Sequence, residues 1–262
     1  MVQRMKTLTK YLNEKLAVNQ RFDEKLIINK DYNDPYTCVP TSFEELRKII
    51  DDRYNKLGPG TKQNPIDFND VDVSNIDSFY NKYHEIGIFE KTKFKYIDIL
   101  YWNVSNIKDM GYMFFGCEQL KSIGDISNWD VSRVENMRYM FQGCEQLKSV
   151  DLSSWNVSKV ENIDSMFSDC YNLKSVGDLS NWNVSNAENI SSMFFKCKQL
   201  KSVGDLSNWN VSKVENINSM FASCEQLKSV GDLSNWNVSN VKYMSSIFYN
   251  SGITNIPKWY NE

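Results

Sequence analysis

Few residues of this chain have the types and spacing that catalysis or metal binding requires. The only histidine among the 262 residues is His84, in the segment NKYHEIG, and no catalytic partner is visible near it. A single histidine argues against histidine-based catalysis and against metal sites with several histidine ligands. We therefore predict that His84 is a surface or turn residue, that the protein is not an enzyme, and that it uses no cofactor.

Five of the six cysteines recur at intervals of 26 or 27 residues, and their positions are Cys117, Cys144, Cys170, Cys197 and Cys224. Zinc sites use close pairs such as C-x₂-C, which this chain lacks, so we expect no metal. Stacked cysteines could come within disulfide range, yet a free cysteine is also a good small core residue. We predict a buried, reduced column; the sixth cysteine, Cys38, lies outside it.

Lysine, serine and aspartate recur with the same period and form the candidate binding face. Its members are Lys121, Ser122, Asp125, Lys148, Ser149, Asp151, Lys174, Ser175, Asp178, Lys201, Ser202, Asp205, Lys228, Ser229 and Asp232. Carboxylates about 5 Å apart on neighbouring coils would repel one another. Two interpretations stay open: a lysine–aspartate surface that neutralises itself, or a polar face for a protein or glycan partner, with or without a cation.

A repeat must position these columns, and the tryptophans show it most clearly. They stand at 102, 129, 155, 182, 209, 236 and 259, with the same spacing as the cysteines except at the last step. One unit, residues 155–181, reads WNVSKVENIDSMFSDCYNLKSVGDLSN. A decayed copy with extra residues begins at Val71, and Pro257 in the last copy would block further ladder pairing. Stacked coils of this kind bury faces that one coil cannot bury alone.

Each unit has two halves, which predict a short helix and a strand. In VSKVENIDSMF the apolar residues are three or four apart, which is the spacing of one helix face. Ser158 and Glu161 match a capping box, as do the pairs Ser132/Glu135, Ser185/Glu188 and Ser212/Glu215. The second half, LKSVDLSSW, has the L-x-x-L-x-L pattern of leucine-rich-repeat strands. We predict an α/β, leucine-rich-repeat-like solenoid of about seven strand–helix coils.

Asparagine begins an N-x-S triplet in most units, at Asn103, Asn156, Asn183, Asn210 and Asn237. In a secreted eukaryotic protein such triplets would be glycosylation acceptors. The same column contains Asp130, which cannot be N-glycosylated but can hydrogen-bond the backbone of a turn. We predict a stacked Asn/Asp turn ladder, in which the serine caps the helix.

Specificity in a repeat protein usually comes from residues that differ between coils. On the predicted helix flank these are Tyr112, Phe115, Arg138, Tyr139, Gln142, Tyr171, Phe195, Lys196, Tyr243 and Tyr249. Tyrosine and arginine are typical interface anchors, but some of these side chains could also belong to the core.

The segments NWNVSN, SMF and LKSVGDLSNW resemble the BspA-type leucine-rich-repeat family of bacterial proteins. The resemblance covers about residues 71–259, roughly 70% of the chain. It implies a curved α/β repeat scaffold without a catalytic motif, and many members of that family are surface proteins or lipoproteins with adhesive roles.

Residues 1–70 do not repeat. Residues 1–30 form a basic, amphipathic segment, which is either a docked or frayed surface helix or a targeting and docking peptide; KLIINK within it is a predicted strand. Residues 31–70 are predicted to form a small α/β cap on the first coil. It contains a helix that begins with a capping box of Ser42 and Glu45 and ends at Gly58-Pro59-Gly60. The apolar face of this helix consists of Phe43, Leu46, Ile49, Ile50 and Leu57. Residues 71–262 form the solenoid, with a C-terminal capping coil from about 236.

Composition narrows the function classes. The net charge of −3 does not favour nucleic-acid binding, and the chain lacks both a run of about 18 apolar residues and the apolar core of a secretory signal. We expect a cytoplasmic or virion-associated protein rather than one at the cell surface. The predicted function is a non-enzymatic scaffold for a protein or glycan partner. The alternative is a structural or decoration protein of a phage virion or bacterial cell surface, anchored by its N-terminal segment; the oligomeric state stays open.

Overall fold

The computed structural model describes residues 37–261, and regular secondary structure is sparse among them. The single α-helix of this part of the chain, α1, spans Phe43–Leu57. Four two-residue strands follow: β1 (Ile66–Asp67), β2 (Tyr80–Asn81), β3 (Ile86–Gly87) and β4 (Ile97–Asp98). β1 pairs with β4 in parallel, β2 and β3 form an antiparallel pair, and a short 3₁₀-helix spans Leu233–Asn235. The predicted strand KLIINK and the N-terminal anchor segment, residues 1–30, lie outside the described residues.

The predicted helix in each repeat is wrong. That half folds into overlapping turns, in which Met113 N–H donates to the Met110 carbonyl at 3.3 Å and Phe115 N–H to the Tyr112 carbonyl at 2.9 Å. Tyr112 has a φ of +57°, and this left-handed residue prevents the i→i−4 hydrogen-bond ladder of an α-helix. We call these segments turn runs; they are residues 78–91, 109–116, 136–143, 162–169, 189–196, 216–223 and 243–250.

Backbone hydrogen bonds join each turn run to the next one, whereas the hydrogen bonds of an α-helix lie within the helix itself. In the run 189–196, four N–H groups donate to carbonyls of the following run at 2.8–3.1 Å; the donors are Ile190, Ser192, Phe194 and Lys196, and the acceptors Asn216, Asn218, Met220 and Ala222. Isolated parallel bridges mark the same register, as between Asn189 and Asn216. The next coil thus satisfies the backbone groups that an α-helix would have satisfied within itself.

The predicted repeat strand is also reduced to isolated parallel bridges, for example Ser149 to Ser175 and Ser175 to Ser202. A glycine interrupts it in several coils, because Gly177 and Gly204 have φ values of +86° and +88°. Extended backbone cannot continue through a residue in the left-handed region. The L-x-x-L-x-L pattern therefore places the leucines correctly in the core but does not produce a continuous strand.

Like residues stack on like residues in the core. Phenylalanine rings of neighbouring coils lie 5.2–6.0 Å apart from Phe114 to Phe248. Tryptophan rings stack at 6.2–6.4 Å from Trp182 to Trp259. The five repeat cysteines are buried and free, which confirms the reduced column. Each thiol donates to a phenylalanine carbonyl of the preceding coil, as Cys144 does to Phe114 at 3.2 Å.

The predicted cap helix is confirmed. The Ser42 hydroxyl accepts the Glu45 N–H at 3.2 Å, while a Glu45 carboxylate oxygen accepts the Thr41 N–H, one residue earlier than in a standard capping box. Leu46 and Ile50 are buried, but Leu57 is 57% exposed, so its assignment to the apolar face is wrong. Leu57 lies on the same side of α1 as Ile50, seven residues earlier, but it is the last residue of the helix, so no further helical turn continues the buried face there.

Candidate functional site

The Asn/Asp turn ladder is confirmed, but the serine beside it does not cap a helix. The Asn156 side-chain oxygen accepts the Ser158 N–H at 3.2 Å, and the same bond recurs at Asn103, Asp130, Asn183, Asn210 and Asn237. Glu161, the predicted partner in the capping box, instead donates its N–H to the Glu135 carbonyl of the preceding coil at 2.8 Å. These side chains therefore shape turns, and we assign them no binding role.

The predicted lysine, serine and aspartate face is accessible, since its members are exposed except for Ser122, which is half-buried. The aspartate side chains of this face already accept hydrogen bonds from nearby backbone N–H groups. Asp205, for example, accepts the Ser207 N–H at 2.9 Å. Hydrogen bonds from the serine two residues later lower the pKa of Asp151, Asp205 and Asp232 below the usual value. The carboxylates are therefore held as anions in local turns.

Glycines in this face leave the space that the aspartate carboxylates of the preceding coil occupy. An added side chain on Gly204 would meet the Asp178 carboxylate of the preceding coil at 2.0 Å, and one on Gly231 would meet Asp205 at 1.8 Å. Within residues 37–261, the ion pairs shorter than 4.0 Å do not join the lysine column to the aspartate column. Direct lysine–aspartate pairing is therefore not what holds this face together, and its role in binding stays a prediction.

The variable residues Tyr112, Phe115, Arg138 and Tyr139, all half-buried, gather around the ring of Tyr80, which is 8% exposed. We call these five residues the aromatic patch. Tyr112 lies at its centre, with ring centroids 5.2 Å from Tyr80 and 4.8 Å from Tyr139. Phe115 packs against Tyr112 at 5.3 Å and meets Tyr139 edge-on at 6.4 Å. The patch thus spans the first three turn runs and brings together residues up to 59 positions apart in the sequence, from 80 to 139.

Arg138 provides the positive charge of the aromatic patch. Its guanidinium carbon lies 5.2 Å from the Tyr80 ring centre and 5.3 Å from that of Tyr112, and Nη2 donates to the Tyr80 hydroxyl at 3.1 Å. Its Nε is buried and has no hydrogen-bond partner. A guanidinium that packs against two stacked rings and donates to one of their hydroxyls is fixed in orientation.

Two tyrosines of the patch, Tyr112 and Tyr139, are neutral hydrogen-bonding groups. Burial raises the pKa of Tyr139 to about 12, with a further contribution from the nearby Asp164 carboxylate. Burial likewise raises the pKa of Tyr112, against the lowering effect of Arg138. Each phenol therefore keeps its proton at neutral pH, which suits rings that offer both an apolar face and a polar O–H.

The backbone of the turn runs determines which way these rings point. Tyr112 and Tyr139 both have φ near +57°, a left-handed conformation that is uncommon for bulky side chains. Later runs have Ser165 and Ser192 at the equivalent position, so a tyrosine at this left-handed position occurs only in the runs 109–116 and 136–143 of the described residues. In the first run the equivalent residue is Gly87, where an added side chain would lie 1.9 Å from the Tyr112 carbonyl oxygen.

The ten variable residues named from the sequence are all half-buried or exposed, so none belongs to the core. Tyr80 was missed, because it lies in the insertion of the first coil where the repeat spacing is lost. No periodic signal could have found it. His84 is exposed in a turn, as predicted. It borders a shallow cleft of about 300 Å³ between α1 and the insertion.

Residues 37–261 contain no group of three or more histidine, cysteine, aspartate or glutamate side chains arranged to hold a metal ion. No helix in this range has the length and apolar character needed to cross a membrane.

The repeat region matches a known family of sequences. The family described as "Mycoplasma protein of unknown function, DUF285" matches residues 84–202 and 171–261, which together make up about two thirds of the chain. The chain belongs to the DUF285 family. This membership is consistent with the resemblance to BspA-type repeats and assigns no activity to the protein. No curated protein gives a significant match.

Two solved structures that are similar to this DUF285 chain are leucine-rich repeat proteins. One, from Eubacterium ventriosum, is 22% identical with a TM-score of 0.35, over 60% of this chain and 37% of its own. The other, from Bacteroides ovatus, is 17% identical with a TM-score of 0.21, over 70% of this chain and 59% of its own. The chain therefore spans less than two thirds of either protein's length.

Proposed function

We propose that this DUF285 protein is a non-enzymatic binding protein that presents its aromatic patch to a protein or glycan partner. The observation that carries the proposal is the division of the repeat into two sets of residues. Interior columns such as Phe114–Phe141 repeat the same residue from coil to coil. Residues that change between coils are half-buried or exposed, and two aromatic rings of this kind, Phe115 and Tyr139, collect with Arg138 around Tyr112.

The composition of the patch suits a binding interface. Tyrosine and arginine are the residues most enriched among those that dominate binding energy, because they combine apolar area with hydrogen bonds. Arg138 is already held by Tyr80 and Tyr112, so little side-chain freedom is lost when a partner binds. The same rings would suit a sugar face, and for this reason both classes of partner remain in the proposal.

We infer that one continuous solenoid of seven turn runs carries the patch. Parallel bridges follow one another from Ser78 through Asp109, Asn136, Asn162, Asn189 and Asn216 to Tyr243, and support this inference. Such a stack would hold the patch rigidly, because each coil packs only on its neighbours and repeats the same contacts. The lysine, serine and aspartate face is a second candidate surface on the same stack.

The test replaces the patch tyrosines with the residue that later coils already have there. Tyr112→Ser combined with Tyr139→Ser reproduces Ser165 and Ser192, and should therefore leave the backbone unchanged. Immobilised wild type and double variant are compared in quantitative capture from the native source and on a glycan array. Tyr83→Ser is the matched control, because Tyr83 is 84% exposed and lies outside the patch.

We expect the double variant to lose at least about nine tenths of the captured partner, with no loss for Tyr83→Ser. Equal capture by both proteins would show that the patch is not the binding surface. Substrate screens for hydrolase and transferase turnover complete the experiment, since reproducible turnover by the pure protein would contradict a non-enzymatic role.

A further inference from the structure

Among the described residues, no acceptor meets a row of backbone donors in the last turn run. In the run 216–223, the N–H groups of Ile217, Ser219, Phe221 and Ser223 donate to the following run at 2.8–3.0 Å. The equivalent N–H groups of the run 243–250 belong to Met244, Ser246, Phe248 and Asn250, and among residues 37–261 they have no acceptor. We call these four groups the terminal donor row.

The terminal donor row is an edge made of donors rather than an ordinary strand edge. A β-strand edge alternates N–H and C=O groups, whereas here four alternate residues all direct N–H groups toward the C-terminal end of the stack. Left-handed residues produce this arrangement: Ser246 has φ of +56° and Asn250 of +51°. Backbone N–H groups presented together in such alternating conformations form concave sites for anions.

The aligned peptide groups of earlier runs strengthen the positive potential at this end. Up to four N–H groups of each run donate to the next run, from Phe79 onward, so the peptide dipoles of these columns add along the stack. One neighbouring column, which ends with Lys242 N–H donating to the Glu215 carbonyl at 2.8 Å, points the opposite way and offsets part of this sum. The positive ends of these dipoles lie at the terminal donor row, where Ser246 and Asn250 are exposed, Met244 is half-buried and Phe248 is buried. The same addition makes the N-terminus of an α-helix attractive to negative groups.

The side chains around the row fit this potential. Lys258 is the one charged residue between positions 243 and 261, and Lys242 just before this range pairs with Glu215 at 2.8 Å. Tyr243 and Tyr249 flank the row and are 58% and 62% exposed. The remainder of this end is already covered, since Trp259 stacks on Trp236 at 6.2 Å and Tyr260 meets Phe248 at 5.4 Å.

We propose that the terminal donor row binds an acidic peptide segment of a partner protein, whose carboxylate oxygens replace the carbonyls that a further coil would supply. A second copy of this chain does not fit as well. Its complementary carbonyl edge is the first turn run, and α1 packs there, with Arg47 Nη1 donating to the Gly87 carbonyl at 3.2 Å. This surface is separate from the aromatic patch and does not depend on the proposed function.

The primary test is an NMR titration of the full-length protein with a short acetylated polyglutamate peptide. The amide signals of Met244, Ser246, Phe248 and Asn250 should shift and saturate. The equivalent amides of the run 216–223 serve as an internal control, because their N–H groups are already bonded and should not move. A polyglutamine peptide of the same length should bind at least about tenfold more weakly.

Three variants test the same surface without relying on the assignment of amides. Tyr243→Glu combined with Tyr249→Glu places carboxylates beside the row and should weaken polyglutamate binding at least about tenfold. Tyr83→Glu adds a charge at an equally exposed tyrosine elsewhere and should change the affinity less than about twofold. Tyr249→Lys should strengthen binding.

Three results would overturn the inference. Amide shifts spread over the lysine, serine and aspartate face instead of the row would mean that the peptide binds surface lysines. Equal affinity for polyglutamate and polyglutamine would rule out carboxylate recognition. Sedimentation that shows a dimer in the wild type and a monomer in Tyr243→Glu, Tyr249→Glu would identify a second copy as the occupant.

Discussion

The indole Nε1–H of Trp182 donates to the carbonyl of Leu152 at 3.0 Å, which joins one coil to the coil before it. The tryptophan is 3% exposed and stacks on Trp209 at 6.4 Å. Each such tryptophan therefore contributes both packing area and a buried hydrogen bond between coils. Trp129 is the exception, because its Nε1 is buried and has no hydrogen-bond partner.

We expect Trp182→Ala to lower the free energy of unfolding by roughly 3–5 kcal/mol, because it empties a large core position. Trp182→Phe should cost about 1 kcal/mol more than Trp129→Phe, since only Trp182 loses a hydrogen bond. Urea denaturation monitored by circular dichroism measures both differences. Equal costs for the two phenylalanine variants would show that the indole hydrogen bond contributes nothing measurable to stability.

The turn ladder predicts opposite outcomes for two neighbouring residues. Asn156→Ala removes the acceptor of the Ser158 N–H and should cost about 1 kcal/mol. Ser158→Ala removes a side chain that does not cap a helix and should stay within about 0.5 kcal/mol of the wild type. The same denaturation assay compares them. A larger loss for Ser158→Ala would instead support the helix that the sequence pattern favours.

The cysteine column should be unreactive in the folded protein. Burial raises the pKa of Cys117 to about 12 and that of Cys144 well above the usual value, and thiolates are the reactive species. An aromatic disulfide reagent at about pH 8 should therefore label Cys38, which is half-buried, before any repeat cysteine. All six thiols should react in denaturant. Labelling of repeat cysteines at the rate of Cys38 would contradict a closed core.

The turns held by aspartate side chains should make the free energy of unfolding depend on pH in the acidic range. A lowered pKa in the folded state means that the anion favours folding above the usual value of 3.8, and that this contribution is lost as pH falls through the lowered folded value. We expect stability to fall below about pH 4. Replacing Asp151, Asp205 and Asp232 by asparagine keeps the turn acceptor without a titrating group, and should flatten this part of the profile. An unchanged acid slope would assign the loss to other carboxylates.

The sequence by itself determined which residues lie above one another in columns through the coils. Tryptophan and cysteine recur at 26 or 27 residues, and periodic stacking buries them whatever the local backbone does. The turn ladder could be predicted because one aspartate stands in a column of asparagines. Both residue types can hydrogen-bond the backbone of a turn, whereas aspartate cannot be N-glycosylated. The cap helix could be predicted because Ser42 and an apolar stripe act within a few residues of one another.

Only the tertiary structure decided the conformation of each coil and the location of the candidate sites. Spacings of three and four residues place apolar side chains on one side of a turn run just as they do on a helix. The choice depends on backbone partners about one repeat away, as when Ile190 N–H meets the Asn216 carbonyl, and no local pattern specifies those partners. The aromatic patch brings Tyr80 and Tyr139 together for the same reason. They are far apart in the sequence, and they lie on either side of one ring only because the coils stack.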